Sequence, residues 1–164
     1  MNKEAYLAEL SQHFGSDRRR INHANKVLAF AEKILDGEKP SPELRRIVII
    51  AAILHDVGIK LAEQKYKSAA GPYQELEGPP IAEAFMRKLG ESDAVISRVC
   101  YIIGGHHTYS KNNGIDFQII WEADLLVNIE EDDLAKNKEK LEEIVARNFK
   151  TKTGKRLAAE EYLI

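Results

Sequence analysis

Three stretches of this 164-residue chain put metal-competent side chains where apolar ones belong. On the second amphipathic helix, His23, Val27, Phe30 and Ile34 fall at i, i+4, i+7 and i+11, so an imidazole lies on the apolar stripe. On a late helix, Phe117, Ile120, Trp121, Asp124 and Leu125 share one face, which aims a carboxylate at the core. His55-Asp56 closes the longest apolar run, the eight residues from Ile47 to Leu54. An ionised carboxylate is costly to bury without a partner. Imidazoles and carboxylates from three inward-looking helices meet that cost by sharing a metal ion. Each residue alone has an ordinary reading as well. A lone histidine on an apolar face is more often a hydrogen-bonded core residue, Asp56 fits a helix end, and Asp124 could pair with Arg20 or Arg98.

Helical periodicity dominates the elements that must position these groups. A first helix is expected from about Lys3 to His13, stopped by Gly15, with His13 on its surface and without function. Asp17 caps a second helix that ends near Asp36, with Gly37 just beyond. Ser41-Pro42 opens the third, apolar nearly all round from Ile47 to Leu54 and therefore the buried central element. Gly58 breaks the pattern. Residues 67–80 read as a loop, with Gly71-Pro72 and Gly78-Pro79-Pro80 as turn signals, and a helix then starts at Pro79 or Pro80 and ends at Gly90. Ser92 caps a helix to Ile103, stopped by Gly104-Gly105. A polar loop at 111–114 leads into helices at about Asp116–Ile129 and Asp132–Phe149. No strand-like alternation is sustained. The expected architecture is all-α, a single compact helical domain over residues 1–150, followed by a loosely attached tail over 151–164 with at most a short closing helix.

The order His, His-Asp, Asp, with Leu54-His55-Asp56-Val57-Gly58 ending an apolar helix, resembles the HD-domain metal-dependent phosphohydrolases. The likeness covers roughly Arg20 to Asn128. His23 stands 32 residues before His55 and Asp124 lies 68 after Asp56, in the context Trp121-Glu122-Ala123-Asp124-Leu125-Leu126. The resemblance implies an HD-like helical bundle with His23, His55, Asp56 and Asp124 as metal ligands, Asp56 bridging if a second ion is present. Some members of the family add histidines before the last Asp. Here Gly104-Gly105-His106-His107-Thr108 offers two, of which His107 matches better. Those members also carry a His before a Gly-Ala helix start; this chain has Glu75-Leu76-Glu77-Gly78-Pro79-Pro80 there, leaving Glu77 as the substitute oxygen donor.

Mixed imidazole and carboxylate ligands suit one or two divalent ions among Mn, Fe, Co, Ni and Zn, with Mg less favoured. The implied activity is hydrolysis of a phosphate ester in a nucleotide or other small phosphorylated metabolite by metal-activated water. Asp56 would orient or deprotonate that water. His107 or His106 would hold a phosphate oxygen or protonate the leaving alkoxide. Lys60 is a candidate phosphate contact, and Lys65, Lys67 and Lys111 flank the expected mouth. Two other readings stand beside this one: a non-catalytic nucleotide sensor or metal-binding protein on the same pocket, and a helical interaction module using the charged stretch 130–143.

Composition narrows the field. One cysteine makes no internal disulfide, excludes a cysteine-based zinc cluster and fits a reducing compartment. The balance of 24 basic and 26 acidic residues disfavours a partner bound through bulk positive charge, such as nucleic acid. The start MNKEAYLAEL lacks a signal-peptide run, and eight apolar residues fall far short of the ~18–20 that span a bilayer. The expectation is a cytoplasmic protein with no membrane partner, and the sequence leaves homo-oligomerisation open.

Overall fold

A computed structural model describes residues 2–163. The apolar run Ile47–Leu54 lies in helix α3 (Pro42–Leu54), where all eight side chains are buried. Around it pack α1 (Lys3–Phe14), α2 (Arg18–Glu38), α6 (Asp93–Ile103) and α7 (Ile115–Glu131). A helix apolar on every side can lower its free energy only by being covered on every side, which makes α3 the axis of the bundle. Further out, α4 (Ile59–Tyr66) rests on α5 (Gly71–Lys88), and α5 rests on α6. The chain closes with α8 (Lys138–Asn148) and α9 (Lys152–Ala158). Among the described residues there is no strand, so the fold is all-α. No helix is long and apolar enough to cross a membrane.

Sequence signals account for the helix starts. Asn2, Asp17, Ser41 and Ser92 each accept from a backbone N–H in the first turn of α1, α2, α3 and α6. Gly15 ends α1 with a φ of 59°.

Several expectations are corrected. Gly71-Pro72 is the start of α5 rather than a loop, with Pro72 in the first turn, where a missing N–H costs nothing. Pro79 and Pro80 therefore lie inside that helix instead of opening it. A further short helix, α4, follows Gly58 directly. The charged helix starts late, at Lys138, where Asn137 caps it. The C-terminal segment is docked rather than loose: α9 packs on α2 and α7, with Thr151, Thr153, Leu157 and Ala158 buried.

The reason for that docking is a buried carboxylate. Glu122 on α7 is fully enclosed and accepts from Gln118 Nε2 (2.6 Å), Lys150 N (2.8 Å), Thr151 N (2.9 Å) and Thr151 Oγ1 (2.6 Å). Gly37 does not end α2, which runs to Glu38; Lys39 takes the left-handed cap at φ 53°. A side chain at Gly37 would overlap Thr153, so that glycine serves the approach of α9. Two glycines bring α5 against the His-Asp turn in the same way. A Cβ at Gly58 would lie 2.5 Å from Gly78 N and 2.7 Å from Gln74 O.

Candidate metal centre

Four elements deliver the donors. His23 comes from the second turn of α2, His55 caps the C-terminus of α3 with Asp56 next to it, His106 follows the C-terminus of α6, and Asp124 stands in mid-α7. Two helix C-termini thus end at the cluster, and their open carbonyls favour a cation. His55 and His106 are buried, while His23, Asp56 and Asp124 are half-buried along a cavity of about 370 Å³.

The distances are those of a ligand set. His23 Nε2 lies 3.2 Å from His55 Nε2, 3.1 Å from Asp124 Oδ1 and 3.3 Å from Asp56 Oδ2. His55 Nε2 is 3.4 Å from Asp56 Oδ2 and 3.5 Å from Asp124 Oδ1. Donors about 2.1 Å from one ion stand about 3.0 Å apart in an octahedron and about 3.4 Å apart in a tetrahedron, so His23, His55 and Asp56 are close enough to share one divalent ion, with Asp124 Oδ1 beside both rings. Asp56 turns its other oxygen away, and Oδ1 meets His106 Nε2 at 3.2 Å. Asp56, His106 and His107 form a second group of donors, which gives Asp56 the disposition of a bridging carboxylate.

Outer contacts fix the rings. His55 Nδ1 is 2.8 Å from Ala52 O and His106 Nδ1 is 2.8 Å from Ile103 O. A carbonyl only accepts, so each Nδ1 carries the proton and each Nε2 faces the cluster. His23 is held by Glu131, whose Oε2 lies 3.0 Å from Nδ1. This is the carboxylate–imidazole support found behind metal-ligating histidines.

Electrostatics point the same way. Burial opposes a charge on His55, yet Asp56 and Asp124 outweigh it and hold the imidazole well above its usual range. His23 is likewise buried against charge but raised, chiefly by its bond to Asp124. Asp56 and Asp124 are held below the usual carboxylate range despite burial, Asp56 through His55 and His106, Asp124 through His23 and His55. Without a metal, the cluster satisfies its carboxylates with protons on the rings. His107 differs. Burial and the neighbouring His106 push it down to about 4, so it is neutral at pH 7.

Other candidate residues are placed elsewhere. Glu77 is buried, but its Oε1 accepts from Lys65 Nζ and Tyr66 OH, both at 2.8 Å, and it does not join the donor cluster. Lys60 Nζ donates to His13 O at 3.0 Å, at the end of α1. His13 is not a free surface residue, because its Nε2–H donates to Val57 O at 2.9 Å and supports the His-Asp turn. His107 Nε2 is 3.1 Å from Gln74 Oε1, beside the cluster. Lys111 Nζ donates to Gly104 O (3.1 Å) and Lys67 Nζ to Gln64 O (3.3 Å). Neither Arg20 nor Arg98 pairs with Asp124: Arg20 binds Asp17 and Glu63, and Arg98 binds Asp116.

Sequence reasoning missed Arg19, Asn128 and Glu131, which line the same cavity. A signal was present. Arg19 precedes His23 by four residues, and Asn128 and Glu131 follow Asp124 by four and seven, the spacings that share one helix face.

Comparison with known proteins bears on the family and the fold. The HD domain family model matches residues 20–162. The crystal structure of a predicted HD superfamily hydrolase from an uncultured Thermotogales bacterium is similar over 99% of this chain and 86% of that one. Its TM-score is 0.73 at 20% sequence identity. No curated protein matches.

Proposed function

Since the chain belongs to the HD-domain family, we propose that this metal-dependent hydrolase cleaves a phosphate ester of a small metabolite, a nucleotide among the candidates, with His23, His55, Asp56 and Asp124 holding the first divalent ion. The observation that carries the reading is the split of Asp56, one oxygen toward His23 and His55 and the other toward His106. A structural carboxylate–imidazole pair needs only one such partner. A carboxylate shared between two donor groups is the arrangement of a hydrolytic metal centre.

The chemistry that a divalent ion supplies in such a site is Lewis acidity toward water and a phosphoryl oxygen. The protein's own groups do the remaining work. Asp56, the most central acceptor, orients a water proton and receives it. Arg19 and Arg20 stand on the wall of the cavity, where guanidinium groups match phosphate oxygens. Arg20 is engaged by Asp17 and Glu63, whereas Arg19 makes no ion pair among the described residues and is the freer of the two. His107, neutral at pH 7, starts as a lone-pair donor or proton acceptor rather than as a proton donor.

The test is metal analysis of the purified protein followed by a phosphatase and phosphodiesterase screen over several divalent metals. Hydrolysis that requires metal and disappears in His55→Ala is expected. A protein that binds no divalent metal, or an activity indifferent to His55→Ala and Asp56→Ala, would overturn the reading.

A further inference from the structure

Beside the donor cluster a smaller cavity, of about 180 Å³, opens between α7 and the end of α8. It shares Asp124, His107 and Asn128 with the larger one, so the two meet at the metal-binding face of α7. Their chemistry differs. The larger cavity carries Arg19 and Arg20, while the smaller has no lysine or arginine and presents Trp121, Leu125 and Asn148.

The indole is pinned in place. Trp121 Nε1–H donates to Asn148 Oδ1 at 3.1 Å, and Asn148 Nδ2 in turn donates to Ile144 O at 2.8 Å. The ring of Tyr109 packs edge-on against it, with centroids 4.9 Å apart. Asn128 stands at the junction of the cavities, one turn beyond Asp124. It is half-buried and its side chain makes no hydrogen bond among the described residues. An amide there offers two donors and an acceptor to whatever enters.

The geometry points to this smaller cavity as the subsite for the organic part of the substrate, a single hydroxylated ring such as that of a sugar monophosphate, set against Trp121 and read by Asn128. The inference rests on the phosphohydrolase reading and narrows it. The phosphate belongs on the side of the donors and arginines. The uncharged part belongs on the side without lysine or arginine, where the indole covers the apolar C–H face of a sugar ring and Asn128 reaches its hydroxyls. One ring with its hydroxyls fills a cavity of about 180 Å³, whereas a complete nucleoside would extend beyond it.

Trp121 is the chain's one tryptophan, so intrinsic fluorescence reports on this cavity directly. The experiment titrates Mn²⁺-loaded protein with ribose 5-phosphate, adenosine 5′-monophosphate and inorganic phosphate, following Trp121 emission with calorimetry alongside. Ribose 5-phosphate is expected to shift the emission saturably and to bind more tightly than either competitor. Asn128→Ala, on a solvent-lined helix face and built from a strong helix former, should weaken ribose 5-phosphate about tenfold, the worth of one or two hydrogen bonds, and weaken inorganic phosphate far less. Tighter binding of the nucleotide, or equal weakening of ester and phosphate in Asn128→Ala, overturns the subsite. Hydrolysis of p-nitrophenyl phosphate with no response of Trp121 to any sugar phosphate overturns the subsite alone. If phosphate does not bind and no ester is cleaved, the phosphohydrolase reading fails and takes the subsite with it.

Discussion

The Nε2 atoms of His23 and His55 face one another at 3.2 Å, although the residues come from different helices and lie 32 positions apart. Two bare imidazole nitrogens repel at that distance. The contact is satisfied only when a cation, a proton or a metal ion, sits between the rings and the carboxylates of Asp56 and Asp124.

That relationship sets the pH dependence of the metal-free protein. His23 and His55 are raised above the usual 6.5, so the stability they contribute is present below about pH 6.5 and is lost as pH rises through their folded values. His13 is lowered and His107 is pushed down to about 4, so their contribution is present above 6.5 and is lost as pH falls toward 4. Asp56 and Asp124 are depressed, and their contribution fades only in stronger acid. Thermal midpoints in chelator should therefore peak near pH 6.5 and fall on both sides. Saturating divalent metal should remove the alkaline fall, because the ion takes the protons' place. A midpoint in chelator that climbs steadily from pH 6 to 9 would contradict this.

Glu131 behind His23 should tune metal affinity without being a ligand. Loss of such an outer carboxylate typically costs about 10–100-fold in affinity. Glu131→Ala is expected to weaken divalent-metal binding by that range in competition with a chelating dye, with Glu131→Gln between it and the parent. His55→Ala should remove binding at that site altogether. Equal metal affinity in Glu131→Ala and the parent protein would show that the contact does not support the ring.

Glu122 is the tether of the C-terminal segment. Glu122→Ala leaves the N–H groups of Lys150 and Thr151 and the Thr151 hydroxyl without their acceptor in a buried setting, at about 1–3 kcal/mol for each group left unpaired. Urea unfolding should show a loss of at least about 3 kcal/mol, read from the midpoint at an unchanged slope. A variant within about 0.5 kcal/mol of the parent would mean that α9 is held by its apolar contacts alone.

Gly58→Ala tests how α5 is seated. Its Cβ would meet the backbone at Gly78 and Gln74, which cannot move aside as a flexible side chain can. The variant should be destabilised by about 1–3 kcal/mol and should bind metal more weakly, since the 55–58 turn carries two donors. Unchanged metal affinity measured by calorimetry would separate the turn from the packing of α5.

The elements that carry the site are legible where local chemistry decides them. Asp17 and Ser41 cap the helices that bear His23 and His55-Asp56, and the apolar run to Leu54 marks the axis of the bundle. Gly71-Pro72 and Pro79-Pro80 mislead because the same residues open a loop or a helix, and only the packing of α5 on α4 and α6 chooses between them. The docking of α9 is illegible for a related reason, since its partner Glu122 lies 29 positions before Thr151.

By itself the sequence determines which atoms are available for the chemistry. One cysteine restricts a metal to nitrogen and oxygen, and His23, His55, Asp56 and Asp124 are polar interruptions of apolar faces that periodicity alone exposes. Tertiary structure alone decides how those atoms are used. It turns the two oxygens of Asp56 toward different histidines, ties Glu77 to Lys65, turns Lys60 to the end of α1, and leaves Arg19 and Asn128 facing the cavity. The physical reason is that burial is a property of local pattern, whereas the direction of a polar group depends on which partner, distant in the chain, reaches it first with a matching charge or hydrogen bond.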